Sequence, residues 1–529
     1  MTEAAVTAPT RPALGRDTWL AIVAMGLGVF VIANDVTAMS VALPAIENEF
    51  DSDVSVVQWV VNAYALIFGV LIVTGGRLAD MFGRRRILFI GAAIFAFFSL
   101  LGGLAPNVWL LIACRALMGI GGAMMWPAIL GLVYAILPED RAALGGAIVI
   151  GTAGIGNAMG PMLGGALTDA FSWRWILILN VPIAAVACLV TWRTVHIPNP
   201  DERNRIDYAG IAAISIGLIA LLMALGQAPD EGWGSPVVIG AFALSAALLA
   251  SFVFIERRMR ADALVPRDVM KNGNFVSACI ATLMMSATFF AALLYLPQFF
   301  QKVLDYSPVA AGVALLPLMA PFALTSFVAG RLYEKLGAKI MVTVGGACIA
   351  ISPLLWSRIE PSSGYWTLVP GMVIAGIGIG LFYSSVTTAG VTSLDPSRSS
   401  LAGGILYMFQ IAGGAVGLGL TTTLFLVGAN RGLEDNLDTT GVQLTGDEQE
   451  AVRGVLAGTD SAQTVLDKYA GQLGDQLVEV VRDAFAMGLR WAFVLDGALA
   501  IAGVIISALF VGGSVFKRHR AKTVASSAG

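Results

Sequence analysis

The chain has 529 residues, 57% of them apolar and 13% charged, with a formal net charge of -3 and a mean hydropathy of +0.80. That composition excludes a soluble globular class. Sixty glycines and twenty-one prolines would break a soluble helical protein, whereas membrane helices tolerate them and use small residues to bring backbones close.

A membrane-crossing helix needs roughly 20 mostly apolar residues. Fourteen such stretches are predicted, at about 18–43, 55–75, 87–105, 108–136, 142–167, 175–195, 209–227, 236–255, 274–299, 308–329, 340–357, 365–390, 400–427 and 487–511. A β-barrel would instead show short alternating segments. The chain is therefore expected to be an all-α polytopic membrane protein.

The polar residues 1–17 carry Arg11 and Arg16 and lead into a hydrophobic stretch too long for a cleaved signal peptide, so this segment is expected to be retained. The first span holds Asn34-Asp35-Val36-Thr37 and then Val41-Ala42-Leu43-Pro44. Gly76-Arg77-Leu78-Ala79-Asp80-Met81-Phe82-Gly83 follows the second span and runs into Arg84, Arg85 and Arg86. Arg115 lies inside the fourth span, before Gly119 and Gly121. In the fifth, Gly156, Gly160 and Gly164 recur every four residues beside Pro161 and Gly165, a small-residue face that lets a partner helix come close. Pro161 removes one backbone bond and is expected to kink that helix.

Two passages repeat farther along. Gly330-Arg331-Leu332-Tyr333-Glu334-Lys335-Leu336-Gly337 echoes the loop at 76–83, and Leu394-Asp395-Pro396-Ser397-Arg398 echoes Leu137-Pro138-Glu139-Asp140-Arg141, each before a Gly-Gly pair. The echoes imply two homologous six-helix halves, 18–195 and 274–511, with a linker at 196–273 that carries two inserted helices. Between the last two spans, 428–486 is polar and expected outside the membrane. It is predicted to begin with a loop from Gly428 to Gly441, then a capping box of Thr445 and Glu448, then a helix bearing Val465, Leu466, Tyr469, Leu473 and Leu477.

With the N-terminus inside, 23 of the 32 basic residues fall in cytoplasmic segments, including the 512–529 tail, and 8 fall outside, leaving Arg115 within a span. The positive-inside rule then puts both termini in the cytoplasm. Cys114, Cys188, Cys279 and Cys348 lie in spans and read as packing residues, with no metal spacing among them. His196 and His519 are predicted cytoplasmic, so carboxylates must carry any intramembrane proton relay. No phosphate-binding GxxxxGK[ST] loop occurs, which makes ATP hydrolysis improbable. No cofactor and no nucleic-acid partner are expected.

These motifs together resemble the 14-helix drug:proton antiporters of the major facilitator superfamily, over nearly the whole chain. Residues 34–44 are similar to the first-helix motif, 76–86 to the cytoplasmic loop signature, Arg115 with its glycines to the fourth-helix basic motif, and 156–165 to the fifth-helix motif that marks exporters. Asn34 and Met118 depart from the family pattern, which usually has an apolar residue and a glutamine there. The second loop has Glu334 for the aspartate and Ala338 where Arg84 stands, so its gating is expected to be weaker.

The resemblance implies proton-gradient-driven export of amphipathic drugs from the bacterial inner membrane. Export of an endogenous lipid or secreted metabolite is the alternative, and a non-transporting membrane enzyme or receptor the distant one. Asp35, held between the cost of burying its charge and the pull of a cation such as Arg115, is the expected proton carrier; a structural acid bonded across helices is the plain reading. Asp496, about 14 Å into the last span, is expected to pack or face a water-filled crevice, with a second proton site as the other reading. Gly76, Asp80, Gly83, Arg84, Arg85 and Glu334 are the expected conformational latch. The helices that line the cavity in the family carry Trp59, Asn62, Met124, Met125, Trp126, Phe289, Phe290, Gln298, Phe382, Tyr383, Tyr407 and Gln410, an adaptable wall for varied apolar ligands.

Overall fold

The computed structural model describes residues 14–198, 206–259, 263–440 and 472–511, and among them every α- or 3-10 element is helical, with no strand. The helices are α1 (Arg16–Phe50), α2 (Val54–Phe82), α3 (Arg84–Gly103), α4 (Val108–Ile136), α5 (Ala142–Ala170), α6 (Arg174–Thr194), α7 (Tyr208–Glu231), α8 (Pro236–Met259), α9 (Arg267–Lys271), α10 (Gly273–Lys302), α11 (Pro308–Val313), α12 (Leu316–Leu336), α13 (Ala338–Trp356), α14 (Tyr365–Val391), α15 (Ser399–Thr440) and α16 (Gln472–Phe510). Fourteen spans are long and apolar enough to cross a membrane. Helix is the form such segments must take, because hydrocarbon offers no partner to a backbone N–H or C=O left unpaired.

Packing groups the helices into two bundles. α1 to α6 form one bundle, in which α2 and α3 lie on α4 and α1 lies on α5 and α6; α10 and α12 to α16 form the second around α14 and α15. The halves meet where α5 lies against α12 and α14 and where α15 lies against α2 and α4. The inserted α7 and α8 form a hairpin whose α7 bridges α2 and α15. The Trp233 indole N–H at the hairpin's turn donates to Thr423 Oγ1 on α15 at 2.8 Å. α8 touches little but α7 and exposes Val237, Ile239, Leu244, Val253 and Phe254, side chains suited to lipid.

The echoed loops have the same backbone turn. Gly83 has φ +98° and Gly337 has φ +83°, a region that L side chains rarely enter. Each glycine is the single residue between one helix and the next.

Several boundaries differ from expectation. α1 continues beyond Pro44 to Phe50, α10 runs on to Lys302, and the tenth span is broken into α11 and α12 with Pro317 in the first turn of the latter. The expected loop at 428–441 is helical to Thr440. Gly428 and Gly432 mark helix contact there: a Cβ at Gly428 would come within 2.9 Å of the Trp491 ring, and one at Gly432 within 3.0 Å of Ala484 on α16. Phe425 and Phe485 stack edge-on between the same helices at 5.1 Å. Thr445, Glu448, Val465, Leu466 and Tyr469 lie outside the described residues, as do both tails beyond Ala13 and Val511; Leu473 and Leu477 fall in α16.

Candidate functional site

The core of the first half holds an ion pair. Asp35 on α1 binds Arg115 on α4, and both side chains are 0% exposed. An arginine inside an apolar span costs at least roughly 2.5–3.5 kcal/mol without compensation. Here the guanidinium also donates from Nε to the Val60 carbonyl at 2.8 Å and lies over the Tyr64 ring at 4.5 Å. Asn180 on α6 donates to the second Asp35 oxygen at 2.8 Å and to Ser99 Oγ at 3.2 Å, while Ser99 donates to the Leu177 carbonyl at 2.7 Å. Five helices, α1, α2, α3, α4 and α6, thus meet in one buried polar cluster. Asn180 and Ser99 were not among the expected residues, although Asn180 had a signal: Arg174-Trp175…Leu179-Asn180 recurs as Arg490-Trp491…Leu495-Asp496.

Asp496 itself is 0% exposed although α16 is largely peripheral. One carboxyl oxygen accepts from Thr421 Oγ1 at 2.8 Å, the other has no partner among the described residues, and the backbone carbonyl accepts from Thr288 Oγ1 at 3.2 Å.

The fifth-helix glycines form the contact between α5 and α1. A Cβ at Gly156 would lie 2.9 Å from the Phe30 carbonyl, one at Gly164 2.5 Å from the Ala38 carbonyl, and one at Gly160 would collide with Thr37. Gly165 differs, since a Cβ there would meet Val309 and Val41 only at ordinary contact distance. Pro161 faces the second half, 2.9 Å from where a Gly312 Cβ on α11 would stand. Helix α5 runs unbroken through that proline.

A narrow cavity of about 10 Å³, room for about one water, lies between the halves, lined by Trp126, Leu130 and Ile150 from the first and by Thr282, Tyr383, Thr387, Gly403, Leu406, Tyr407 and Gln410 from the second. Of the expected wall it therefore includes Trp126, Tyr383, Tyr407 and Gln410. The others lie elsewhere. Met125 is buried against α1 and α3, Met124 approaches α3 at Gly91, and Phe382 packs toward α13. Phe289 sits behind Tyr383 at 6.0 Å between ring centres, and Phe290 lies against Gly414. Trp59 and Asn62 are exposed and Gln298 is half-buried. Of the helices that the resemblance pointed to, α4, α10, α14 and α15 line the cavity and α2 does not, while Ile150 adds α5; a span rotated within a bundle shows only one narrow stripe to its centre.

Aromatic rings connect the cavity to the ion pair. Tyr407 lies 4.3 Å from Trp126 and 5.6 Å from Phe68, Phe68 stacks on Tyr64 at 5.8 Å, and Tyr64 supports Arg115. The ring series runs without interruption from wall to guanidinium.

At the basic end of the bundle, Asp80 joins the halves. Its carboxylate accepts from the backbone N–H groups of Ser400 at 3.3 Å and Leu401 at 2.8 Å, in the first turn of α15, where N–H groups lack intrahelical partners and the helix dipole favours an anion. Arg84 donates to Asp80 at 3.0 Å, to the Gly131 carbonyl at 3.1 Å and to the Pro396 carbonyl at 2.5 Å. A Cβ at Gly76 would fall 2.6 Å from the Ser400 carbonyl, so glycine is what lets α2 come so near. Arg85 does not cross the interface: it binds the Trp192 carbonyl at 2.9 Å within the first half. Glu334 is exposed at the end of α12.

Two repeated helical halves around a shared cavity define a multi-pass membrane transporter. The chain belongs to the major facilitator superfamily, whose family model matches residues 25–418. Among its relatives, the puromycin resistance protein pur8 of Streptomyces alboniger is 32% identical over 77% of this chain and 81% of that protein. The tetracenomycin C resistance and export protein of Streptomyces glaucescens is 29% identical over 92% of this chain and 91% of its own length. The multidrug resistance protein Stp of Mycobacterium tuberculosis H37Rv is 30% identical, covering 80% and 79%. Among solved structures, the human organic anion transporter MFSD10 superposes with a TM-score of 0.62 at 12% identity, over 94% of this chain and all of that one, a likeness of fold alone.

Proposed function

We propose that this protein exports amphipathic small molecules, drugs among them, across the bacterial plasma membrane in exchange for protons, with the basic end and both termini in the cytoplasm. The relatives named for resistance and export support the cargo class and direction. The observation that carries the coupling is the Asp35–Arg115 pair, fully buried yet joined by rings to the cavity.

A buried pair broken by loss of one charge leaves the other uncompensated, at a cost of about 3–5 kcal/mol. Protonation of Asp35 does this to Arg115, and so favours any arrangement of the halves in which the guanidinium regains water. A proton taken at Asp35 therefore shifts the conformational equilibrium by its differential affinity for the two states. Cargo in the cavity pushes on Tyr407 and Trp126, and through Phe68 and Tyr64 on the same guanidinium. Asp80 and Arg84 hold the cytoplasmic ends together until that shift occurs. A second reading, export of a lipid or metabolite made by the cell itself, uses the same machinery.

The test is uphill transport in proteoliposomes. Asp35→Asn, which keeps the side chain's shape, is expected to abolish accumulation driven by a proton gradient while ligand binding and downhill exchange of pre-loaded compound persist. Folded Asp35→Asn protein that still builds a gradient would overturn the assignment.

A further inference from the structure

The internal repeat relates the two buried acids by position. Asp35 stands nine residues before Pro44, and Thr288 nine before Pro297, each proline following a leucine. Arg115 stands four before Gly119-Ile120-Gly121, and Met372 four before Gly376-Ile377-Gly378. Asn180 and Asp496 end the repeated Arg-Trp…Leu passages. The arginines of those passages anchor each half alike: Arg174 donates to the Gly103 and Ala105 carbonyls at the end of α3, and Arg490 to the Ile359 carbonyl just past α13. So the trio Asp35, Arg115 and Asn180 corresponds to Thr288, Met372 and Asp496. The second half has moved its acid from the first helix to the last and replaced the cation with a buried methionine.

We propose that Asp496 is a second proton site, pseudo-equivalent to the Asp35 cluster, which holds its proton in this conformation while Asp35 is ionised. The proposal rests on the proton-exchange reading above and adds a second proton to it. The surroundings of Asp496 are neutral on every side. Thr288 and the Tyr295 phenol, itself donating to Thr422 Oγ1 at 2.7 Å, come from α10 and Thr421 from α15, while on α13 Pro353 and Leu354 lie against the adjacent Gly497 and Trp356 against Phe493. No ion pair involves it among the described residues. An ionised carboxylate in such a site costs far more than a protonated one, which needs only a hydroxyl partner. Each half thereby buries a net-neutral cluster, one as a salt bridge and one as an acid. The site also reaches the cavity, because Phe289, next to Thr288, meets the ring of Tyr383 in the wall. The step is a release of one proton from the Asp496 hydroxyl to water on the cytoplasmic side and its return from water on the other, with no further reactant.

Two measurements on the reconstituted full chain test this. In infrared spectra at neutral pH, a protonated-carboxyl C=O band is expected that disappears in folded Asp496→Asn, shifts in Asp496→Glu and survives Asp35→Asn; a band unaffected by Asp496→Asn overturns the proposal. In proteoliposomes with ethidium as probe, two protons against one cation move net charge and one proton does not. An imposed potential of about 59 mV without a pH gradient should hold an ethidium ratio of about tenfold for the native chain and about one for Asp496→Asn. Equal ratios in the two proteins overturn the second proton and leave the first standing. Ethidium that follows neither gradient counts against proton coupling altogether, and the infrared band then still decides the state of Asp496.

Discussion

Arg115 and Asp35 lie on different helices, α4 and α1, yet neither side chain exposes any surface, and each pairs with the other as countercharge in the bundle core. Removing the acid's partner alone should be worse than removing both charges. Arg115→Met is expected to destabilise the folded protein by about 3–5 kcal/mol, whereas Asp35→Asn combined with Arg115→Met should recover more than half of that loss. Thermal unfolding of the two singles and the double in detergent checks it; additive losses would mean that the pair contributes little.

The glycines of α5 should divide by the face they occupy. Gly160→Ala places a methyl on Thr37 and Gly164→Ala places one on the Ala38 backbone, so each should lower stability by about 1–3 kcal/mol and reduce transport. Gly165→Ala meets only ordinary contacts and should stay within about 0.5 kcal/mol of the native chain. Melting curves of the three variants measured side by side would show the split, and a uniform response would refute the assigned face.

Asp80 acts at a distance from the cavity, through the first turn of α15 and Arg84. Asp80→Asn removes the charge that those N–H groups and the guanidinium share. Turnover should fall at least several-fold while the affinity for a bound dye changes less than twofold, because neither Asp80 nor Arg84 is among the residues that line the cavity. Equilibrium binding and transport assayed on the same preparation decide this; a matching loss of binding would place Asp80 in a different role.

Much of the candidate site was legible in the residues. An arginine and an aspartate inside apolar spans are too costly to stand unpaired, and the spacing of Gly156, Gly160 and Gly164 could only bring another helix near. Asn180 was missed because an amide in a membrane helix carries no such cost until its partner is known. The cavity wall was read only in part: Trp126, Tyr383, Tyr407 and Gln410 line it, while Met125 and Phe382 on the same helices face their own bundles.

The sequence by itself determined the class, the helix number and the two-fold repeat, because apolar length and echoed loops are local properties that a bilayer reads one segment at a time. Only the tertiary structure decided which side chains meet. Gly428 looked like a loop because glycine disfavours an isolated helix, and it is helical because Trp491 on α16 occupies the space its missing side chain leaves. Asp496 looked peripheral because its helix is, and it is buried because that helix turns this acid inward onto Thr421. Rotation about a helix axis is set by neighbours far away in the chain, and no run of consecutive residues records it.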